Sequence, residues 1–335
     1  MRLARPLIVG LAAGVLSCSG SSAAPGGAAA PSSPSVGGPS PAPGAKQLYP
    51  TVAGGREWYL ADDADPNTDA EFRPDQPSGI TFVERGSPTV YHTDGVGPDA
   101  EIRLNVRSPA GKAWWRNVEM TAYYRFVGAI GTAGTPHTEM IVRGAFHTSE
   151  TLPKAAVNDG VPPPPGTVTW PWWDRIAADA WINGSAIGTS YHGNVYSPPG
   201  VGSPASWAAM EKEVSHAGGY SGQRALVTTP NLLPPQGAWF GEKFIVRNSA
   251  DGTRVRLELW LDAAADGTWV KLAEYMDQNG AGDDWTAYRL DGTDAAPYSI
   301  APNQLITWAG PYAGFRADNV SLDFKALSVR EIAPL

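Results

Sequence analysis

The stretch Thr253 to Asp277, TRVRLELWLDAAADGTWVKLAEYMD, decides how the rest of the chain is read. In its first arm Val255, Leu257, Leu259 and Leu261 share one face, while Arg254, Arg256, Glu258, Trp260 and Asp262 share the other. That two-residue period belongs to a strand with one apolar side. Asp266-Gly267 supplies a turn. The second arm alternates more loosely, but Trp269, Val270 and Tyr275 suit a pleated surface. A one-sided antiparallel hairpin needs a second layer over its apolar face, so the expected fold is an all-β, two-sheet antiparallel sandwich.

Strands of the same kind recur on both sides of the hairpin. Ile80–Glu84, Thr89–His92, Ala100–Val106, Thr189–Tyr196, Trp239–Asn248, Gln304–Arg316 and Val320–Ile332 all read as strands, and the last should lie beside an early one. In Asn117–Val127, Val118, Met120, Ala122, Tyr124 and Phe126 oppose Glu119, Thr121, Tyr123 and Arg125. Thr138–His147 repeats this, with Met140, Val142, Gly144 and Phe146 opposing Glu139, Ile141, Arg143, Ala145 and His147. If these two strands pair, Glu119, Tyr123, Arg125, Arg143 and His147 look out together over a cleft. Ser206–His216, followed by a glycine-rich turn, also reads as a strand. Glu211 and Glu213 share a face with Trp207, and Lys212 and His216 share the other with Met210 and Val214; the period leaves open which face is inside.

A chain of 335 residues with 42% hydrophobic and 17% charged residues has ample material for one large core. The formal net charge of −8 argues against nucleic acid as a partner. Thirteen Trp and 12 Tyr exceed the usual demands of packing, and surplus aromatics in a sandwich often line sugar-binding grooves. Between Asp159 and Trp173, a proline run precedes Trp170-Pro171-Trp172-Trp173, an insertion whose rings could stack on pyranose faces or plug one end of the sandwich.

The front of the chain is different. Residues 1–17 form a signal peptide, with Arg2 and Arg5 ahead of an apolar run too short to span a bilayer. Val15-Leu16-Ser17-Cys18 resembles a bacterial lipobox, which would make Cys18 the lipidated first residue of the mature protein. Cys18 is the single cysteine, so no disulfide forms within the chain. Residues 18–46 continue as a Ser/Gly/Ala/Pro tether that cannot bury enough apolar surface to fold, and as a coil it would span roughly 30 Å. The folded domain is then 47–335, expected as a monomer that meets the membrane only through the lipid, in the bacterial cell envelope, surface-exposed or periplasmic. Asp63, Asp65, Asn67 and Asp69 alternate with the oxygen spacing that opens a calcium loop. Thr68 replaces its glycine and Pro74 its bidentate glutamate, so a structural calcium competes with a solvated acidic loop. No other cofactor is required.

The run NVEMTAYYRF, the EKEVSH segment, the opening hairpin and the terminal FKALSVREI together resemble secreted concanavalin A-like jelly-roll domains that include alginate-lyase-like proteins. Lyases of that group carry R-[ST]-E-L-R, Q-[IV]-H and Y-F-K-A-G-x-Y. Here the first becomes Asn117-Val118-Glu119-Met120-Thr121, the second Ile141-Val142-Arg143, and only Ala309-Gly310-Pro311-Tyr312 keeps the A-G-x-Y pattern. Laminarinase-like hydrolases carry E-x-D-x-x-E, against Glu211-x-Glu213-x-x-His216, so the final carboxylate is missing. The resemblance implies action on a polysaccharide, with β-elimination from a uronate-containing glycan as the first reading. Arg143 or Arg125 would neutralise the uronate, His147 or His216 would take the proton, and Tyr312 or Tyr220 would protonate the leaving oxygen. Glu119, Tyr123, Arg125, Lys212, Trp172 and Trp173 would hold the sugar. The rival is a non-catalytic carbohydrate-binding module, with a glycoside hydrolase behind it.

Overall fold

The computed structural model describes residues 46–65, 71–74, 79–96, 100–107, 115–130, 134–144, 190–197, 206–215, 219–221, 224–229, 232–278, 285, 288–290, 305–307 and 312–335. The opening hairpin pairs β13 (Arg254–Asp262) with β14 (Val270–Gln278). Asp262 closes the turn by accepting the N–H groups of Asp266 at 3.1 Å and Gly267 at 2.6 Å, and Gly267 sits at φ 90°, where a side chain would be strained. A register shift between Leu259 and Trp260 explains why the second arm alternates loosely.

Around the hairpin the described strands form two antiparallel sheets. The first runs β14, β13, β12 (Trp239–Asn248), β6 (Val118–Ala129), β17 (Val320–Glu331), β4 (Val90–Thr93) and β3 (Ile80–Glu84), and β1 (Glu57–Tyr59) joins β17. The second runs β15 (Tyr288–Leu290), β10 (Gly219–Ser221), β9 (Ser206–Ser215), β8 (Ser190–Tyr196), β7 (His137–Gly144), β16 (Tyr312–Asp318), β5 (Ile102–Arg107) and β2 (Phe72–Pro74), and β11 (Arg224–Thr229) joins β9. The fold is a two-sheet antiparallel jelly-roll β-sandwich, and the terminal strand lies beside the early strands β1 and β4.

Between the sheets, Val255, Leu257, Leu259 and Leu261 are at most 4% exposed and join Met120, Tyr124 and Phe244 of the first sheet with Met140, Val195 and Met210 of the second. Each such side chain contributes about 1.5–3 kcal/mol relative to exposure. A Cβ on Gly193 would lie 2.6 Å from Phe244, so the bare backbone of β8 rests on that ring and brings the layers together.

Two expectations need correction. β6 and β7 do not pair: β6 lies between β12 and β17 in one sheet, β7 between β8 and β16 in the other. Alternation identifies the faces of a strand but not its neighbour. Glu119, Tyr123 and Arg125 therefore look away from the sandwich on the side opposite Glu139. Nor does Glu119 face solvent, because residues 46–50 cross that outer face as a strap. The N–H groups of Leu48 and Tyr49 donate to the Glu119 carboxylate at 2.9 and 2.8 Å. Lys243 donates to Glu119 at 2.7 Å and to the Lys46 carbonyl at 2.5 Å, while Arg330 donates to Glu119 and, at 2.9 Å, to the Tyr49 carbonyl.

Candidate functional site

The outer face of the second sheet carries a linked set of histidine, carboxylate, guanidinium and aromatic side chains. Along β7, Thr138, Met140 and Val142 point into the sandwich, leaving His137, Glu139 and Ile141 outside. Strand register then sets their neighbours. Asp318 of β16 stands opposite His137 and Arg316 opposite Glu139. On β8, Tyr196, Asn194 and His192 stand opposite His137, Glu139 and Ile141, and β9 adds Glu211 opposite His192 and Glu213 opposite Ser190.

His192 is the hinge of this network and is wholly buried. Its Nδ1 lies 3.2 Å from Glu139 Oε2, and its Nε2 lies 2.6 Å from Ser190 Oγ and 3.4 Å from Glu213 Oε2. Burial alone would lower its pKa, but the carboxylates of Glu139 and Glu213 more than offset that and raise it to about 9. The imidazolium thus donates to Ser190, which in turn donates to Glu213 at 3.1 Å. His137 is half-buried; burial lowers its pKa, and Glu139, Asp318 and the Thr135 carbonyl outweigh that and raise it. Glu139 is held well below the carboxylate range: burial opposes ionisation, and Arg316, His137 and His192 outweigh it. Arg316 meets Asp318 through Nε at 3.1 Å and Nη2 at 2.8 Å and reaches Glu139 at 3.6 Å.

At one end of the face, three rings form a ladder across β7, β8 and β9. His137 stacks on Tyr196 at 4.8 Å and 24°, and Tyr196 stacks on Trp207 at 4.2 Å and 16°. Trp207 is half-buried, and Glu211 of the same strand face accepts from Asn194 Nδ2 at 3.1 Å. Asn194 Oδ1 is buried with no donor among the described residues.

No family model matches the chain, and no curated protein matches it. Solved structures similar to it include a Bacillus subtilis protein of unknown function with a galectin-like fold, at 10% identity and TM-score 0.41 over 86% of this chain and 100% of that one. The Emp47p carbohydrate recognition domain is similar at 10% identity and TM-score 0.39, over 82% and 95%. A winged bean acidic lectin complexed with methyl-α-D-galactose is similar at 8% identity and TM-score 0.37, over 82% and 97%.

The candidates read from sequence are scattered rather than gathered. Arg143 is not on the outer face. A register shift opposite Tyr312 to Gly314 and a φ of 61° turn it inward, where it is 0% exposed, lies 5.8 Å over the Tyr191 ring and donates to the carbonyls of Arg116 and Ile306. Burial lowers its pKa to about 9. Lys212 also faces inward, with Met210, and its ammonium pairs with Asp277 of the opposite sheet at 2.8 Å. Tyr123 donates to Asp262 at 3.4 Å on the outside of the first sheet. Arg125, further along that face, binds Asp323 through Nε at 2.8 Å and lies 4.8 Å over Trp239, beside a depression of about 430 Å³. Tyr312 begins β16, opposite Gly144 and Arg107. Asp63 pairs with Arg85 at 3.4 Å, and Asp65 is described, but Asn67 and Asp69 lie outside the described residues, as do His147, His216, Trp172, Trp173 and Cys18.

Sequence reasoning passed over His137, His192, Tyr196, Arg316 and Asp318. The signal was present in β8, where Ser190, His192, Asn194 and Tyr196 alternate with Tyr191, Gly193 and Val195, so one face of a buried strand is polar throughout.

Proposed function

We propose that the protein binds a polysaccharide on the outer face of its second sheet. The observation that carries this reading is the His137–Tyr196–Trp207 ladder beside a braced set of carboxylates, amide and guanidinium. Pyranose rings offer apolar C–H faces to an aromatic ring and hydroxyls to polar groups, and both kinds of partner occur here side by side. The salt-bridged network holds the polar groups in place, which limits the entropy lost on binding. Calorimetry against neutral and uronate-containing polysaccharides should find a ligand, and Trp207→Ala should weaken it by about tenfold or more while leaving the fold intact. Failure to bind any of them, or equal binding by the variant, would defeat the reading. A second reading, β-elimination, draws on Arg316 as a cation for a uronate carboxylate. It requires that a bound polymer also yield unsaturated products absorbing in the ultraviolet.

We further infer display from a bacterial cell envelope, on the strength of the lipobox-like Val15–Cys18 and the tether behind it. Cys18→Ala should move the protein from the membrane fraction to the soluble fraction, and unchanged fractionation would remove the anchor.

A further inference from the structure

We propose that His137, Glu139 and Asp318 form a site for one divalent first-row transition ion of the Zn²⁺ or Mn²⁺ class. His137 and Glu139 are two residues apart on one strand and so share a face, and Asp318 stands directly across from His137. His137 Nε2 is 3.0 Å from Glu139 Oε1 and 3.4 Å from Asp318 Oδ2, and the three atoms lie within 4.8 Å of one another. Donors held about 2.0–2.2 Å from a common ion are roughly 3.0–3.5 Å apart in octahedral or tetrahedral shells, so these two edges fit one ion.

Proximity is only part of the case. The other polar atom of each ligand is already held. His137 Nδ1 lies 2.7 Å from the Thr135 carbonyl, which keeps the proton on Nδ1 and turns the Nε2 lone pair to the cluster. Glu139 Oε2 lies 3.2 Å from His192 Nδ1, and Asp318 Oδ1 accepts from Arg316 Nε at 3.1 Å. Such outer partners orient the ligands of metal sites. Stacking on Tyr196 at 4.8 Å fixes the ring from its face and leaves its edge for the ion. Arg316 Nη2 also reaches Asp318 Oδ2, at 2.8 Å, but a carboxylate oxygen has two lone pairs and the second remains for coordination. The His137 side chain is 13% exposed, which leaves a path for the ion and for water ligands. One imidazole with two carboxylates suits Zn²⁺ or Mn²⁺, whereas Ca²⁺ takes six to eight oxygens.

The site shares His137 with the ring ladder and Asp318 with the braced polar set of the carbohydrate reading, but it is tested with metal alone, so the two readings fail separately. The full chain, dialysed against chelator, is titrated with Zn²⁺ and Mn²⁺ by calorimetry. One ion per chain should bind, millimolar Ca²⁺ or Mg²⁺ should not displace it, and His137→Ala and Asp318→Asn should each weaken it by about 100-fold. Should His137→Ala fail to fold, Asp318→Asn decides through Co²⁺, whose visible absorption bands in the parent should disappear in that variant. Absence of saturable binding below about 1 mM, or a site that survives Asp318→Asn unchanged, overturns the proposal.

Discussion

Glu119→Ala should cost the fold about 3–5 kcal/mol, on the order of 10 °C in Tm, measured by thermal and denaturant unfolding. The side chain is 0% exposed, and its two oxygens take four donors: the Leu48 and Tyr49 amides, Lys243 and Arg330. Removing it leaves Lys243 and Arg330, at 0% and 1% exposure, without their shared counter-ion. It also unties the strap that runs over them. Lys243 has a partial escape, because burial already lowers its pKa to about 8 in the presence of Glu119, so it can shed its proton. Arg330 has none. Glu119→Gln retains the shape and most of the amide contacts and should fall between parent and alanine. A loss below about 1 kcal/mol for the alanine variant would mean that the strap contributes nothing. Either substitution should leave glycan binding unchanged, since Glu119 lies on the sheet opposite the candidate face.

The fold was legible because it rests on period. Apolar alternation in β6, β13 and β17 defines the inside of a sandwich without knowledge of any partner, and the separation of Glu211 and Glu213 from Lys212 follows from the same rule. Partners were not legible. β6 pairs with strands that begin more than a hundred residues later, and nothing local in NVEMTAYYRF distinguishes β12 from β7. Arg143 escaped because one bulge reverses the facing of everything after it. The acid–base cluster escaped for another reason. Its members come from β7, β8, β9 and β16, between residues 137 and 318, each contributing two or three polar residues at alternate positions. In a single strand that pattern is indistinguishable from a wet outer surface. Only the register makes it a buried network.

Burial of titratable groups leads to the last expected result, a loss of stability as pH rises from 5 to 8. Glu242 sits between the sheets at 0% exposure, with Thr138 Oγ1 donating to Oε2 at 2.7 Å and no donor to Oε1 among the described residues. Burial, assisted by Glu139 and opposed by the Thr138 bond and by His137, raises its pKa from 4.5 to about 8. The folded state therefore favours the neutral acid, and stability is intact below the unfolded value and declines until the folded value is passed. That change is worth at most about 4–5 kcal/mol. His192, raised from 6.5 to about 9, acts in the same direction, since the folded state favours the cation and the advantage fades as pH climbs through that interval. Glu139 works the other way but only in acid, because its folded pKa lies below the ordinary carboxylate value. Lys243 gains stability for the fold only above about pH 8, where its lowered pKa begins to count. Between pH 5 and 8 the dominant titration is thus Glu242. Glu242→Gln keeps an acceptor for Thr138 and cannot ionise, so its stability should fall much less over that range and should exceed the parent's at pH 8. Chemical denaturation of both proteins at pH 5, 6, 7 and 8 gives the two slopes. Equal slopes would show that the Glu242 carboxyl is not held neutral in the core.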